Sequence, residues 1–289
     1  MSTPAEMGKS GVLKTHEATS TSGYGLPVYI LGLAFLIITV YFAYELLYRR
    51  TKGVAAGGPT FIIAGPSGAG KTALFTLLRY GEKSTTLPSV EQNISTTFRL
   101  PNLPDTAKPF VLIDTPGHQK LRHGMFSALQ IAQTARTIHG VLYVVDASAI
   151  SRPERLREAA EYLYDILRIT ERVRGGTDVL VAANKSELFT AVPAKRLRTL
   201  LEVELDKIRE SRAKSVDKVG AGGDKHDGDD GDEDDSAVVG GNLWLGRGGE
   251  KEGPFKFEDL ETEVTVVDGS VDNDKIDGWL GWMEERAVN

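Results

Sequence analysis

At 289 residues the chain is long enough for one good-sized domain or two small ones. It is 41% hydrophobic with a formal net charge of −6, and it has no basic stripe interleaved with aromatics, which argues against direct contact with nucleic acid. There is no cysteine, so disulfide frameworks, thiolate catalysis and thiolate metal sites are excluded, and a reducing compartment suits the bulk of the chain.

Residues 1–25 are small and polar, without apolar periodicity, and read as a short disordered tail. From Leu26 to Tyr48 the chain is apolar except for Thr39 and Glu45. A helix of about 20 residues, rising about 1.5 Å per residue, crosses the ~30 Å hydrocarbon layer. Tyr24, Tyr29, Tyr44 and Tyr48 sit where an interfacial aromatic belt would. The basic residues Arg49, Arg50 and Lys52 follow the run, unlike a cleaved signal peptide, and place what comes next on the cytosolic side. Residues 49–59 form a Gly-rich tether.

Thr60 to Ala64 reads as a buried strand and Ala73 to Tyr80 as a helix. Between them Gly65-Pro66-Ser67-Gly68-Ala69-Gly70-Lys71-Thr72 fits G-x-x-x-x-G-K-[ST], the phosphate-cradling loop. Its glycines let backbone amides approach a polyphosphate at the positive end of a helix. Lys71 would neutralise β- and γ-phosphate charge, and the Thr72 hydroxyl would hold Mg²⁺. The loop alone suits a kinase, an ATPase or a GTPase, and its sequence is close to that of guanylate kinases.

Further along, residues 83–93 are polar, with Pro88 and Ser89 at their centre. Ile94, Thr96, Phe98 and Leu100 alternate with Ser95, Thr97 and Arg99 as a period-2 strand. A buried strand over 110–113 ends at Asp114-Thr115-Pro116-Gly117-His118. A helix over 125–137 precedes a strand over 141–146. An amphipathic helix then starts near Pro153, with Leu156, Ala160, Leu163 and Leu167 on one stripe. A strand over 179–183 ends in Asn184-Lys185-Ser186-Glu187, and a helix covers 193–212.

Residues 216–253 are rich in Gly and Asp, without the spacing of a calcium loop, and read as a solvated acidic insertion. Lengthening a loop costs only about 0.6 kcal/mol per doubling, so one fold can hold it. A strand over 263–268 leads to Gly269-Ser270-Val271, and a helix over 274–286 carries Ile276, Trp279, Leu280 and Met283 at core spacing. Strands alternating with helices predict an α/β, mostly parallel, doubly wound sheet with ligand loops at the strands' carboxyl ends.

Two strand ends carry further chemistry. At Asp114-x-x-Gly117 the carboxylate can reach Mg²⁺ through water, and the Gly117 amide can meet a γ-phosphate. At Asn184-Lys185-x-Glu187 a carboxylate can accept both guanine N1–H and N2–H, the lysine stem can pack on the base, and Asn184 can tie loops together. Ser270-Val271 sits where a backbone amide would read guanine O6. In this order on successive strands, the set resembles the small GTPase superfamily. That resemblance implies a P-loop GTPase fold, GTP or GDP as ligand, and Mg²⁺ near Thr72, Ser89 and, through water, Asp114.

Thr86-Leu87-Pro88-Ser89-Val90 is similar to the first switch of the ADP-ribosylation-factor branch, and the Asp-Thr-Pro-Gly-His run continues to Leu121-Arg122. With the apolar helix ahead of the domain and the acidic insertion before the last strand, the whole resembles the β subunits of the signal recognition particle receptor, of a fungal type. The resemblance implies a single-pass protein of the endoplasmic reticulum membrane, with a lumenal tail and a cytosolic GTPase domain over 60–289. It implies GTP-dependent recruitment of the receptor's α subunit through that subunit's N-terminal domain, for co-translational targeting. Contact with the ribosome or translocon would be indirect, and GTP hydrolysis slow.

Three residues depart from the wider pattern. Glu187 stands for the usual Asp, Ser89 for Thr, and His118 for the water-positioning Gln, which leaves His118 as the candidate catalytic residue. The competing readings are an ADP-ribosylation-factor-like GTPase with another effector, and a guanylate-kinase-like enzyme.

Overall fold

The computed structural model describes residues 26–51, 58–104, 107–172, 176–220 and 253–288. The tail over 1–25, the tether over 52–57 and the insertion over 221–252, Trp244 included, lie outside them. The chain divides into two compact units, residues 1–50 and residues 51–289.

The first unit contains helix α1, Leu26–Thr51. Its described side chains face out, and the large apolar ones from Ile30 to Phe42 are 57–70% exposed. The aliphatic hydroxyl of Thr39 returns its hydrogen bond to the helix at Phe35 O (3.0 Å) and Leu36 O (2.9 Å). Among the described residues no helix is long and apolar enough to cross a membrane.

The second unit is built on a six-stranded sheet of order β2-β3-β1-β4-β5-β6. Its strands are β1 Thr60–Ala64, β2 Asn93–Phe98, β3 Phe110–Asp114, β4 Ile138–Asp146, β5 Val179–Asn184 and β6 Val264–Asp268. All neighbours run parallel except β2, which pairs antiparallel with β3 at one edge. The central strands are continuous runs of Val, Ile, Leu and Ala because helices cover both faces and leave no polar side. One face carries α3 Arg122–Thr134, α4 Pro153–Thr170 and α5 Ala194–Gly220; the other carries α2 Lys71–Tyr80 and α6 Asp277–Val288. Each parallel crossover delivers the chain to the same sheet edge, so the polar ends of β1, β3, β4, β5 and β6 gather there.

The alternation predicted for the second strand is corrected by a register shift between Ser95 and Phe98. The extra residue puts Ser95 and Phe98 on one buried face, while Thr96 turns to solvent. The third helix starts at Arg122 rather than Met125, after a short 3₁₀ turn over Gln119–Leu121. Helix α5 continues to Gly220, so residues 216–220 of the predicted insertion are helical. Past the insertion, the fold resumes earlier than Glu263. Phe255 and Phe257, each 2% exposed, meet edge to face at 5.8 Å and join the core beneath α5. Trp282 is buried beside Trp279 and Met283, and a Cβ on Gly140 would strike its ring.

Candidate nucleotide site

The loop after β1 is a chain of close approaches. Gly65 (φ 140) and Gly70 (φ 94) hold left-handed backbone conformations. A Cβ on Gly65 would overlap the Val144 carbonyl oxygen, and one on Gly70 would overlap the Asn184 amide. Gly70 caps α2, so the helix's unpaired amides and positive dipole end open onto the loop. The start of α2 is buried at Lys71, whose Nζ donates to Pro66 O at 2.9 Å. Burial pushes the Lys71 ammonium down to about 8, against the pull of Asp114, with the nearby Arg122 guanidinium adding to the downward push. A desolvated cation with one carbonyl partner is poised for an anion.

Three elements converge beside it. The Thr72 Oγ1 of α2 donates to Asp114 Oδ2 at 2.9 Å and lies 2.9 Å from Ser89 Oγ. Asn93, at the start of β2, donates from Nδ2 to the same Asp114 oxygen at 2.9 Å and to Ser89 at 3.2 Å. Asp114 Oδ1 is buried without a partner. Burial raises the Asp114 carboxyl above its ordinary value, even though Asn93, Thr72, Lys71 and Ser89 all favour the charged form.

This donor set fits Mg²⁺. It is all oxygen, and octahedral ligands at 2.0–2.1 Å stand about 2.9 Å apart, the separation of the Thr72 and Ser89 hydroxyls. The orphaned Asp114 oxygen would accept from a metal-bound water. Gly117 packs against the phosphate loop so closely that a Cβ there would lie 2.7 Å from the Ser67 amide and 2.5 Å from Lys71 Nζ. The Asp114–Gly117 segment therefore abuts the phosphate loop and Lys71.

His118 caps the turn that follows the Asp114–Gly117 segment. Its imidazole is exposed, and Nδ1 accepts from the Lys120 amide at 3.3 Å, capping the 3₁₀ turn. The bond recorded for it is to its own turn and not to the phosphate loop.

At the far end of the cleft, Asn184 is the junction. Its Nδ2 donates to Ala69 O at 2.9 Å, and its Oδ1 accepts from the Val271 amide at 3.0 Å. This alters the expectation for Ser270-Val271. The Val271 amide is engaged by Asn184, and the Ser270 amide by Lys275 O at 3.0 Å. The reason is local: with Nδ2 committed to Ala69, the buried Asn184 oxygen needs a donor, and Val271 supplies it.

Lys185 adopts φ 64, rare for a non-glycine residue and found at functional loops. Its Nζ pairs with Asp146 Oδ2 at 2.6 Å. Burial alone would raise Asp146, but the Lys185 and Ser148 hydrogen bonds outweigh it and hold the carboxyl below its ordinary value. Glu187 is exposed on the same loop.

A cleft of about 250 Å³ beside the phosphate loop is walled by Ser67, Gly68, Asp146, Arg152, Arg155 and Lys185. A larger groove of about 720 Å³, between the starts of α4 and α5, is lined by none of the motif residues. Sequence reasoning missed Asn93, Asp146 and the two arginines. Asp146 had a signal, since it ends a buried strand at the ligand edge; Asn93 had none beyond its nearness to Ser89.

A parallel sheet with one antiparallel edge strand, a phosphate loop after its first strand and this set of strand-end motifs define a P-loop GTPase fold. The comparisons with known proteins take the assignment further. Residues 57–264 match the family model described as signal recognition particle receptor beta subunit, and the chain belongs to that family. The Saccharomyces cerevisiae signal recognition particle receptor subunit beta is 34% identical over 229 residues, 79% of this chain and 84% of that protein. The structure of Chaetomium thermophilum SRb with GDP and Mg is 32% identical, with a TM-score of 0.56, covering 79% of this chain and 97% of that one. The GTP-bound SRb/SRX complex from the same organism is 29% identical, also with a TM-score of 0.56, covering 78% and 97%.

Proposed function

We propose that this protein is the membrane-anchored, GTP-binding subunit of a signal recognition particle receptor, and that it recruits the receptor's α subunit in a GTP-dependent way. The observation that carries the reading is the meeting of Thr72, Ser89 and Asp114 from three elements beside a desolvated Lys71. In that arrangement Gly65 to Thr72 hold the phosphates, and Thr72 and Ser89 hold Mg²⁺ with Asp114 behind a water. The relatives bound to GDP–Mg and to GTP with SRX support the ligand and the class of partner. Bound Mg²⁺ would neutralise phosphate charge. The chain's own residues orient the phosphates, fix the Asp114–Gly117 segment and hold Ser89 in place. Family membership sets the nucleotide-kinase alternative aside.

The anchor in this reading is α1. Only the α1 side chains over 30–43 are described, so the spanning length rests on the sequence: the apolar run over 26–48, at about 1.5 Å per residue, exceeds the ~30 Å of hydrocarbon. The helix's outward apolar side chains and self-bonded Thr39 suit lipid. The basic residues Arg49, Arg50 and Lys52 favour a cytosolic GTPase domain and a lumenal tail in the endoplasmic reticulum. Hydrolysis is slow and secondary here, with His118 Nε2, the nitrogen not used in capping, available to orient water.

Glu187 is proposed to read guanine, and calorimetry on the detergent-solubilised protein tests this. GTP and GDP should bind far more tightly than ATP. Losing one paired polar contact costs about 1–3 kcal/mol, so Glu187→Ala should cut the guanine preference roughly 5–150-fold and leave ATP binding unchanged. Equal affinity of the unaltered protein for ATP and GTP would overturn the reading.

A further inference from the structure

The segment that leads from α2 to Ser89 is fastened at both ends. At its far end Ser89 meets Thr72 and Asp114. At its near end Gly81 (φ 71) stops α2, and the chain turns at once so that Lys83 reaches the loop after β6. Lys83 Nζ donates to the Asp272 carbonyl oxygen at 2.7 Å and pairs with the Asp274 carboxylate at 2.7 Å.

Both acceptors stand on a preformed turn. Ser270 and Lys275 exchange backbone hydrogen bonds at 3.0 and 2.9 Å. The Asn273 amide donates to Ser270 Oγ at 3.1 Å, and Asp274 is held at φ 53. Asn184 ties this same loop to the phosphate loop through Val271 and Ala69. Residues 84–88 therefore form an arch, one foot on the phosphate and metal end of the cleft and the other on the loop beside Asn184 and Lys185.

We infer that Lys83 is a positioning residue that closes the base-side rim of the nucleotide cleft. It joins the start of the first switch segment to the loop after β6 and slows nucleotide release. The inference rests on the nucleotide-binding reading above. A nucleotide with phosphates on the Gly65–Thr72 loop and base beside Lys185 lies beneath the arch, and leaving requires one foot to lift. The Lys83 and Asp274 side chains are 43% and 60% exposed. A pair so exposed adds little to global stability, but it must break before the rim opens, so its effect falls on the dissociation rate.

The test is release of a fluorescent GDP analogue from the full-length protein in detergent. Lys83→Met and Asp274→Asn should each release it faster, by up to about 5-fold, the upper end for an exposed ion pair. The double variant should release no faster than Lys83→Met, because Lys83→Met already removes the contact that Asp274→Asn weakens. Lys83→Arg keeps both donors and should match the unaltered protein, and raised salt should speed release from the unaltered protein more than from Lys83→Met. Melting temperatures of the nucleotide-free variants should stay together. If the unaltered protein holds GDP and Lys83→Met releases it at the same rate, the rim contact is refuted alone. If the unaltered protein retains no GDP, the nucleotide-binding reading falls and the rim contact with it.

Discussion

Lys71→Met should lose both GTP and GDP by about 30-fold to several thousandfold while leaving the nucleotide-free fold intact. Truncating a desolvated, hydrogen-bonded charge costs about 2–5 kcal/mol of binding, and each 1.4 kcal/mol is about tenfold. The fold should not suffer, because the ammonium is buried with Pro66 O as its partner and is pushed down to about 8 by that burial. Methionine removes a desolvation cost and keeps the stem packed.

The same shift predicts a pH dependence. In the nucleotide-free protein Lys71 loses its proton as pH rises through about 8. Phosphate oxygens stabilise the charged form and raise that value in the complex. Affinity is therefore fully present below pH 8 and falls as pH climbs toward the value in the complex, by up to about tenfold per unit. Calorimetry in buffers of different ionisation enthalpy should detect proton uptake on binding near pH 8. Proton release, or a flat profile from pH 7 to 9.5, would place Lys71 away from the phosphates.

Asn184→Ala should damage the fold as well as the site. The side chain is 3% exposed and satisfies two backbone groups, Ala69 O and the Val271 amide. Each one left buried and unpaired costs about 1–3 kcal/mol. For a domain of this size 1 kcal/mol lowers the melting midpoint by about 2–4 °C, so a fall on the order of 10 °C is expected without any nucleotide. Asn184→Asp should not rescue it. Its Oδ1 can still accept from Val271, but the other oxygen would face the Ala69 carbonyl with no proton to donate. A residue used only to contact the base would leave the nucleotide-free midpoint unchanged, so scanning calorimetry separates the two roles.

Which parts of this molecule could be read from sequence follows from how local each cause is. The central strands are contiguous apolar runs that end abruptly in Asp114, Asp146 and Asn184, so the mostly parallel sheet and its ligand edge were legible. The phosphate loop was legible because its glycines and Lys71 act within eight consecutive residues. The register shift in β2 was hidden, since nothing in Ser95–Phe98 marks which residue will be skipped. Phe255 and Phe257 were hidden by their setting, two aromatics in a stretch of Gly, Lys and Glu that join the core beneath α5, with Arg198 and Arg209 over their rings. Asn93 and Lys83 act through partners far along the chain, Lys83 across 189 residues, and no spacing rule reaches that far. The partner of the Val271 amide was hidden for a related reason: it depends on how the buried Asn184 side chain is oriented. The capping role of His118 was hidden too: its Nδ1 closes the turn that opens α3, which leaves Nε2 for the water-orienting role proposed above.

The central claim is that GTP on this domain creates the surface that holds the α subunit. Ser89 and Gly117 approach the phosphate end from two separate loops, and in GTPases such contacts order the switches and are released on hydrolysis. Linkage makes the claim two-sided: whatever factor GTP adds to partner affinity, the partner must add to GTP affinity. The direct measurement is the affinity of the α subunit's N-terminal region for this protein loaded with GTP, a non-hydrolysable analogue or GDP, together with the GTP dissociation rate with and without that region. The account predicts about 5–150-fold tighter binding with GTP and with the analogue than with GDP, and slower GTP release when the partner is present. Equal affinities in all three states with an unchanged GTP dissociation rate would contradict it.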